Sequence, residues 1–182
     1  MHNKTVVLYR SKTGFARQYA KWISQDLHCD MFDAFKIKYE DLDKYHIIIY
    51  GAGLYAKGIN GLKKMKKKFA LLKDKNIIVF ATGATLDQEE DIKNIQKSNF
   101  TEKEINTLKF FYLRGGFDYK RLSLKNKFMM TLLKMKIRMQ KHLTDNEESY
   151  LDAFQKPVDY TNKEYLMPLL EYVHSFSKTN KK

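Results

Sequence analysis

Five short apolar runs of strand type, at residues 5–9, 30–35, 45–50, 76–81 and 108–113, alternate with stretches whose apolar residues recur at helical spacing. Strands separated by helices form a parallel sheet with helices packed on both faces, so this alternation leaves few architectures open. The third run is the most constraining. Ile47-Ile48-Ile49-Tyr50 shows no polar alternation, the pattern of a strand buried on both sides. Ala16, Tyr19, Ala20 and Ile23 mark a helix over 15–27, and Leu62, Met65, Phe69 and Leu72 another over 60–72. Tyr165, Leu166, Leu169, Leu170 and Val173 mark the last, over 162–176. The expected fold is a doubly wound five-stranded parallel α/β sheet in a single domain, residues 1–177, with 178–182 a disordered tail. A chain of 182 residues can bury an adequate core without metal or disulfide staples.

All eight glycines follow these runs or sit in the turn after them. Gly14 follows the first run, and Gly51, Gly53, Gly58 and Gly61 follow the third. Gly83 follows the fourth, and Gly115 and Gly116 the fifth. Glycine permits positive φ and close backbone approach. Ligands of open parallel sheets bind beyond the carboxyl ends of the strands. The glycines therefore point to a small-molecule site at one end of the sheet.

Several function classes drop out. One cysteine, Cys29, excludes internal disulfides and a thiolate zinc site, and its apolar neighbours predict a buried, inert thiol. His28, His46, His142 and His174 lack the spacing of metal ligands, so no metal is expected. No nucleophile elbow or Ser-His-Asp pattern appears. No signal peptide or apolar span of membrane-crossing length is present, which predicts a cytoplasmic protein.

The formal net charge of +13 is concentrated. Residues 57–75 carry eight lysines against one aspartate, and residues 117–142 carry eight basic residues against one aspartate. Such a field favours an anionic partner, although a lysine-rich composition alone would produce the same count. The aromatic residues form no base-stacking motif, so no specific nucleic-acid binding is expected.

The connection between the fifth strand and the last helix, a basic helical insertion at about 117–160, is far longer than a bare turn requires. A helix is predicted over 121–142. Leu124, Phe128, Leu132, Met135 and Met139 fall on one stripe, with Lys127, Lys134, Arg138 and Lys141 on the opposite side. Met129, Leu133 and Ile137 form a second apolar row, interrupted near Lys125 and Lys136. This helix is expected to dock on a membrane, to cap the ligand site, or to pack on its own core or on a second copy.

The first glycine turn reads Arg10-Ser11-Lys12-Thr13-Gly14-Phe15-Ala16, between strand and helix. Hydroxyls and outward N–H groups at a helix start suit a phosphate monoester, and the same residues would also serve as a plain N-cap turn. The loop resembles the flavodoxin phosphate fingerprint, [T/S]-x-T-G-x-T, with Ser11, Thr13 and Gly14 on matching positions. Ala16 replaces the final Thr, and Arg10, Lys12 or Arg17 could offset the missing hydroxyl. Gly51-Ala52-Gly53-Leu54-Tyr55 and Thr82-Gly83-Ala84-Thr85 match the turns that hold the isoalloxazine ring in that family. The resemblance implies FMN as cofactor, bound by Ser11, Lys12, Thr13, Gly14, Phe15, Ala16, Ala52, Gly53, Leu54, Tyr55, Thr82, Gly83 and Ala84. Tyr55 would pack on the ring; as an alternative it is ordinary surface packing.

Leu113-Arg114-Gly115-Gly116-Phe117-Asp118-Tyr119 and the Met-rich basic helix resemble the bacterial menaquinone-dependent protoporphyrinogen IX dehydrogenases, a flavodoxin-like family with a long insertion before the last helix. That likeness implies an FMN-dependent oxidoreductase oxidising protoporphyrinogen IX, with a quinone or other small redox substrate as partner. It would act at an anionic membrane surface, peripheral to the cytoplasmic face. No side chain is required as a general base, so no catalytic residue is assigned. The acidic stretch Asp87-Gln88-Glu89-Glu90-Asp91 departs from that family, whose members are basic there. The alternatives are a flavodoxin-like electron carrier docking to proteins, and a binding module that keeps the fold.

Overall fold

A computed structural model describes residues 4–38, 40–55, 58–72, 74–84, 89–122, 124–140, 142, 143, 148 and 151–179. The chain runs β1 (Thr5–Arg10), α1 (Phe15–Asp26), β2 (Asp30–Asp33), β3 (Ile47–Tyr55), β4 (Gly58–Ile59), α2 (Leu62–Phe69) and β5 (Asn76–Gly83). It continues with α3 (Glu89–Asn99), α4 (Glu102–Thr107), β6 (Lys109–Arg114), β7 (Gly116–Phe117), α5 (Leu124–Arg138), β8 (Val158–Asp159) and α6 (Met167–Thr179). The main sheet has the order β2-β1-β3-β5-β6, all parallel, with β4 turning back antiparallel on the end of β3. That is the expected doubly wound arrangement, and its strand order reverses between β1 and β3.

Side chains alternate across the sheet, and each side has its own core. Ile48, Tyr50 and Ala52 of β3 pack with Leu62, Met65, Ile95 and Phe100 beneath α2 and α3. Ile47 and Ile49 pack on the other face with Tyr19, Ala20, Ile23, Leu169 and Val173 from α1 and α6. Tyr19 also ties this face together. Its hydroxyl donates to the Arg114 carbonyl at 2.5 Å and accepts from Asn162 N–H at 3.2 Å. Burial pushes that phenol up to about 12, so it stays neutral at any physiological pH.

The structure departs from expectation in several places. β3 runs on to Tyr55 because its parallel ladder with β5 continues as far as Gly53 opposite Thr82 and β4 then pairs with Leu54 and Tyr55, so the expected turn is the end of a strand. α3 and α4 occupy a stretch to which the sequence assigned no element. Their inward residues are few, chiefly Ile92, Ile95 and Ile105, which leaves little periodicity to detect. A Thr101–Glu104 capping box starts α4. Cys29 is half-buried rather than buried, and burial still pushes its thiol up to about 12. α6 extends to Thr179, while 180–182 of the expected tail lie outside the described residues.

The insertion leaves and rejoins the body at one place. β7 and β8 pair antiparallel, Gly116 opposite Asp159 and Phe117 opposite Val158. A Cβ at Gly116 would lie 2.2 Å from the Val158 carbonyl oxygen and 2.6 Å from the Phe15 ring, so only glycine lets this pair sit against the start of α1. α5 begins later than predicted, after a 3-10 turn at Tyr119–Arg121 capped by the Asp118 carboxylate. Its inner face is Asn126, Met130 and Ile137 with Met129 and Leu133 at the margin, and its long stripe faces outward. Leu124 is 85% exposed, Phe128 69% and Met139 83%. Among the described residues, no helix is long and apolar enough to cross a membrane.

Candidate cofactor site

Beyond the carboxyl ends of β1, β3 and β5 lies a cavity of about 500 Å³, within the range of small-molecule sites. The β1–α1 loop forms one side. Gly14 is the N-cap of α1 with φ 106°, a left-handed conformation that glycine adopts without strain. Its N–H donates to Ser11 Oγ at 3.0 Å. A serine oxygen that accepts still has its proton to donate, so the Ser11 hydroxyl remains usable by a ligand at the helix start. Thr13 and Phe15 line the cavity, while Ser11, Lys12 and Gly14 belong to the loop beside it. Ala16 lies 1% exposed in the core under α1.

The opposing walls come from the ends of β3 and β5. Gly53, Leu54, Tyr55, Thr82, Gly83 and Ala84 all line the cavity. Ala52 does not; it is fully buried in the core beneath α2. Thr85 lies outside the described residues. Burial raises the pKa of the Tyr55 hydroxyl, and Lys12 Nζ stands 5.0 Å from the centre of its ring. A cation over a π-face holds the ring against the β1–α1 loop.

Sequence reasoning missed the other walls. α3 contributes Asp91, Asn94 and Ile95, and the insertion contributes Phe117, Asp118 and Leu122. α5 closes the cavity from above with Asn126, Met129, Met130 and Leu133. Met129 and Leu133 were legible as a second apolar row on α5, and capping of the ligand site was one of the expected placements of that helix, though the sequence did not say which row would face the cavity. Glu89, Glu90 and Asp91 of the acidic stretch form the first turn of α3, where carboxylates complement the helix dipole. Glu89 pairs with Lys93 at 2.6 Å, and Asp87 and Gln88 lie outside the described residues.

The insertion also brings to the β1–α1 loop a cation that the sequence did not suggest. Arg10 turns to Asp33, 3.4 Å away, and stacks over Phe35. Arg121, from the insertion, reaches the loop and donates through Nη1 to the Thr13 carbonyl at 3.1 Å. Its Nε pairs with Asp118 at 3.2 Å. These residues sit more than a hundred positions apart, so no local pattern could have joined them.

This donor set fits FMN. The start of α1, with the Ser11 and Thr13 hydroxyls and the Arg121 guanidinium, suits a phosphate. The aromatic and apolar walls suit a flat ring. Among the described residues no group of three or more His, Cys, Asp or Glu could hold a metal.

Comparison with known proteins gives one family match and several distant structural likenesses. The flavodoxin-domain family profile matches residues 6–145. Among solved structures, the Trp repressor binding protein of Bacillus subtilis is 18% identical, with 62% of this chain and 83% of that one covered and a TM-score of 0.46. A WrbA-like flavodoxin of Agrobacterium tumefaciens is 19% identical, covering 68% and 87%, TM-score 0.41. A flavoprotein of Lactobacillus acidophilus in complex with FMN is 16% identical, covering 62% and 92%, TM-score 0.39. No curated protein matches the sequence. With its profile match spanning most of the length and the strand order described above, the chain belongs to the flavodoxin domain family.

Proposed function

We propose that this protein is an FMN-dependent oxidoreductase that takes electrons from a reduced, largely apolar organic substrate and delivers them to a quinone. FMN is the cofactor, in keeping with the family and with the donor set of the cavity. Bound there, it supplies the redox chemistry, while the chain binds, orients and shields it. One observation carries the reading. α5 covers the cavity with Met129, Met130 and Leu133, so a substrate reaching the ring meets apolar, adaptable side chains. A carrier that passes single electrons to large protein partners has no use for such a roof.

The resemblance of 113–119 and the insertion suggests protoporphyrinogen IX as the reduced substrate and a menaquinone as acceptor. Anaerobic mixing of FMN-loaded protein with protoporphyrinogen IX is expected to bleach the flavin and produce porphyrin fluorescence, with menadione sustaining turnover. A reducible, FMN-loaded protein that forms no porphyrin would contradict this substrate and leave the oxidoreductase reading to other reductants.

The proposal extends to an anionic membrane surface. The outward stripe of α5 exposes Leu124, Phe128, Leu132, Met135 and Met139, a larger apolar strip than a solvated helix presents. Lys120, Arg121, Lys136 and Arg138 are exposed on or beside the same helix. Lys127 and Lys134 instead lean over the rings of Tyr119 and Phe154, and Lys141 lies outside the described residues. Each basic side chain near an anionic surface contributes about 1 kcal/mol. Neutralising Lys136 and Arg138 is therefore expected to weaken sedimentation with anionic liposomes about thirtyfold at low salt. Equal partition into neutral and anionic liposomes would contradict the electrostatic part of this reading.

A further inference from the structure

The roof of the cavity is a unit within the insertion. Tyr119 Oη and Thr131 Oγ1 share a hydrogen bond of 2.8 Å, which fastens the 3-10 turn before α5 to the middle of that helix. The Phe154 ring packs on Phe117 and Tyr119 at 5.2 and 5.4 Å, and Lys134 of α5 leans over the same ring. Phe117, Leu122 and α5 therefore line the cavity as parts of one assembly. The two-residue ladder of β7 with β8 joins this assembly to the body. Arg121 reaches from it to the β1–α1 loop, where Nη1 donates to the Thr13 carbonyl at 3.1 Å.

That arginine is placed against the dipole of α1. A Cβ built on Gly14 would lie 3.5 Å from Arg121 Nη1, so the guanidinium covers the N-cap of the helix. The amino end of a helix carries partial positive charge and disfavours a cation. The first turn of α1 has no acidic residue and does contain Arg17, and Lys12 precedes it in the loop. The Asp118 carboxylate, 3.2 Å from Nε, balances one of these charges. A guanidinium has more N–H donors than the Thr13 and Asp118 contacts use, and this side chain is 66% exposed. Spare donors above a positive helix end suit an anion with several oxygens.

We propose that Arg121 binds the phosphate of the cofactor and thereby holds the roof over the cavity. Phosphate recognition and cover of the apolar walls become one event. The group that neutralises the loop also fixes the segment that carries Leu122, Met129 and Met130. A flavin without its phosphate leaves the roof without this tie. The proposal rests on the FMN reading above.

Amide hydrogen exchange of α5, combined with flavin titrations, tests the tie. In saturated wild-type protein FMN is expected to slow exchange over 124–138 several-fold more than riboflavin does. Arg121→Gln is expected to bind FMN about tenfold more weakly, the low end for a hydrogen bond to a charged group because the side chain is exposed. Its riboflavin affinity should stay within twofold of wild type, and the two flavins should then slow α5 equally. The change also frees Asp118, whose carboxylate could repel a phosphate. In Asp118→Asn/Arg121→Gln the amide oxygen can still cap the turn, and the loss of FMN affinity is expected to persist. Equal slowing of α5 by both flavins in wild type overturns the proposal, as does wild-type FMN affinity in the double variant. Both flavins weakened alike by Arg121→Gln would make the arginine a part of the fold and overturn it as well. Wild-type protein that takes up no flavin defeats the FMN reading instead. Inorganic phosphate, compared with chloride at matched ionic strength, then decides: it should slow α5 exchange in wild type and not in Arg121→Gln, and no such difference overturns the role of Arg121.

Discussion

Replacing Ser11 and Thr13 together by alanine is expected to weaken FMN binding by at least two orders of magnitude while leaving riboflavin binding nearly unchanged. A hydrogen bond to a charged group is worth roughly 1.5–3 kcal/mol, and two such donors are removed. The Ser11 change has a second effect, because its Oγ is the acceptor for Gly14 N–H at the cap of α1. The two losses share one loop and need not add. Riboflavin lacks the phosphate and serves as the internal control. Parallel titration of both flavins into apoprotein measures the effect. An unchanged FMN affinity in the double variant would remove this loop from the site.

The second large effect is on stability. Gly51→Ala is expected to destabilise the protein by about 1–3 kcal/mol or more, the cost of overpacking a filled core. A Cβ at Gly51 would lie 1.8 Å from the Phe80 ring, and both residues sit in the central strands, paired across β3 and β5. Gly53→Ala, two residues on, meets only the Tyr55 ring at 3.5 Å, an ordinary contact. That variant should fold about as well as wild type and instead crowd the cavity wall, weakening flavin binding. Thermal melts and flavin titrations on the pair separate the two roles. Equal melting temperatures for Gly51→Ala and wild type would contradict the packing seen here.

This pair also shows what a sequence can and cannot disclose. Both glycines follow an apolar run and look alike in the chain, yet Gly51 makes room for a phenylalanine and Gly53 lines the cavity. The unbroken Ile47-Ile48-Ile49 run was legible because burial on both faces leaves no polar alternation. Thr13, Phe15 and the segments 53–55 and 82–84, which line the cavity, could be picked out because each is local to one strand end. Arg121 and Asn126 were not, since both belong to an insertion whose path over the sheet is fixed by tertiary pairing of β7 with β8. The direction of the α5 stripes was hidden for a related reason. Two apolar rows of similar strength lie on one helix, and only the packed structure shows that the shorter row faces the cavity while the longer one faces solvent.

Titration of apoprotein with FMN, followed by flavin absorbance and fluorescence, tests the central claim most directly. The account predicts one FMN per chain, a perturbed flavin spectrum with quenched emission from contact with Tyr55, and much weaker binding of riboflavin. A flavin spectrum that stays as in free solution at saturating protein, or equal affinities for FMN and riboflavin, would contradict it.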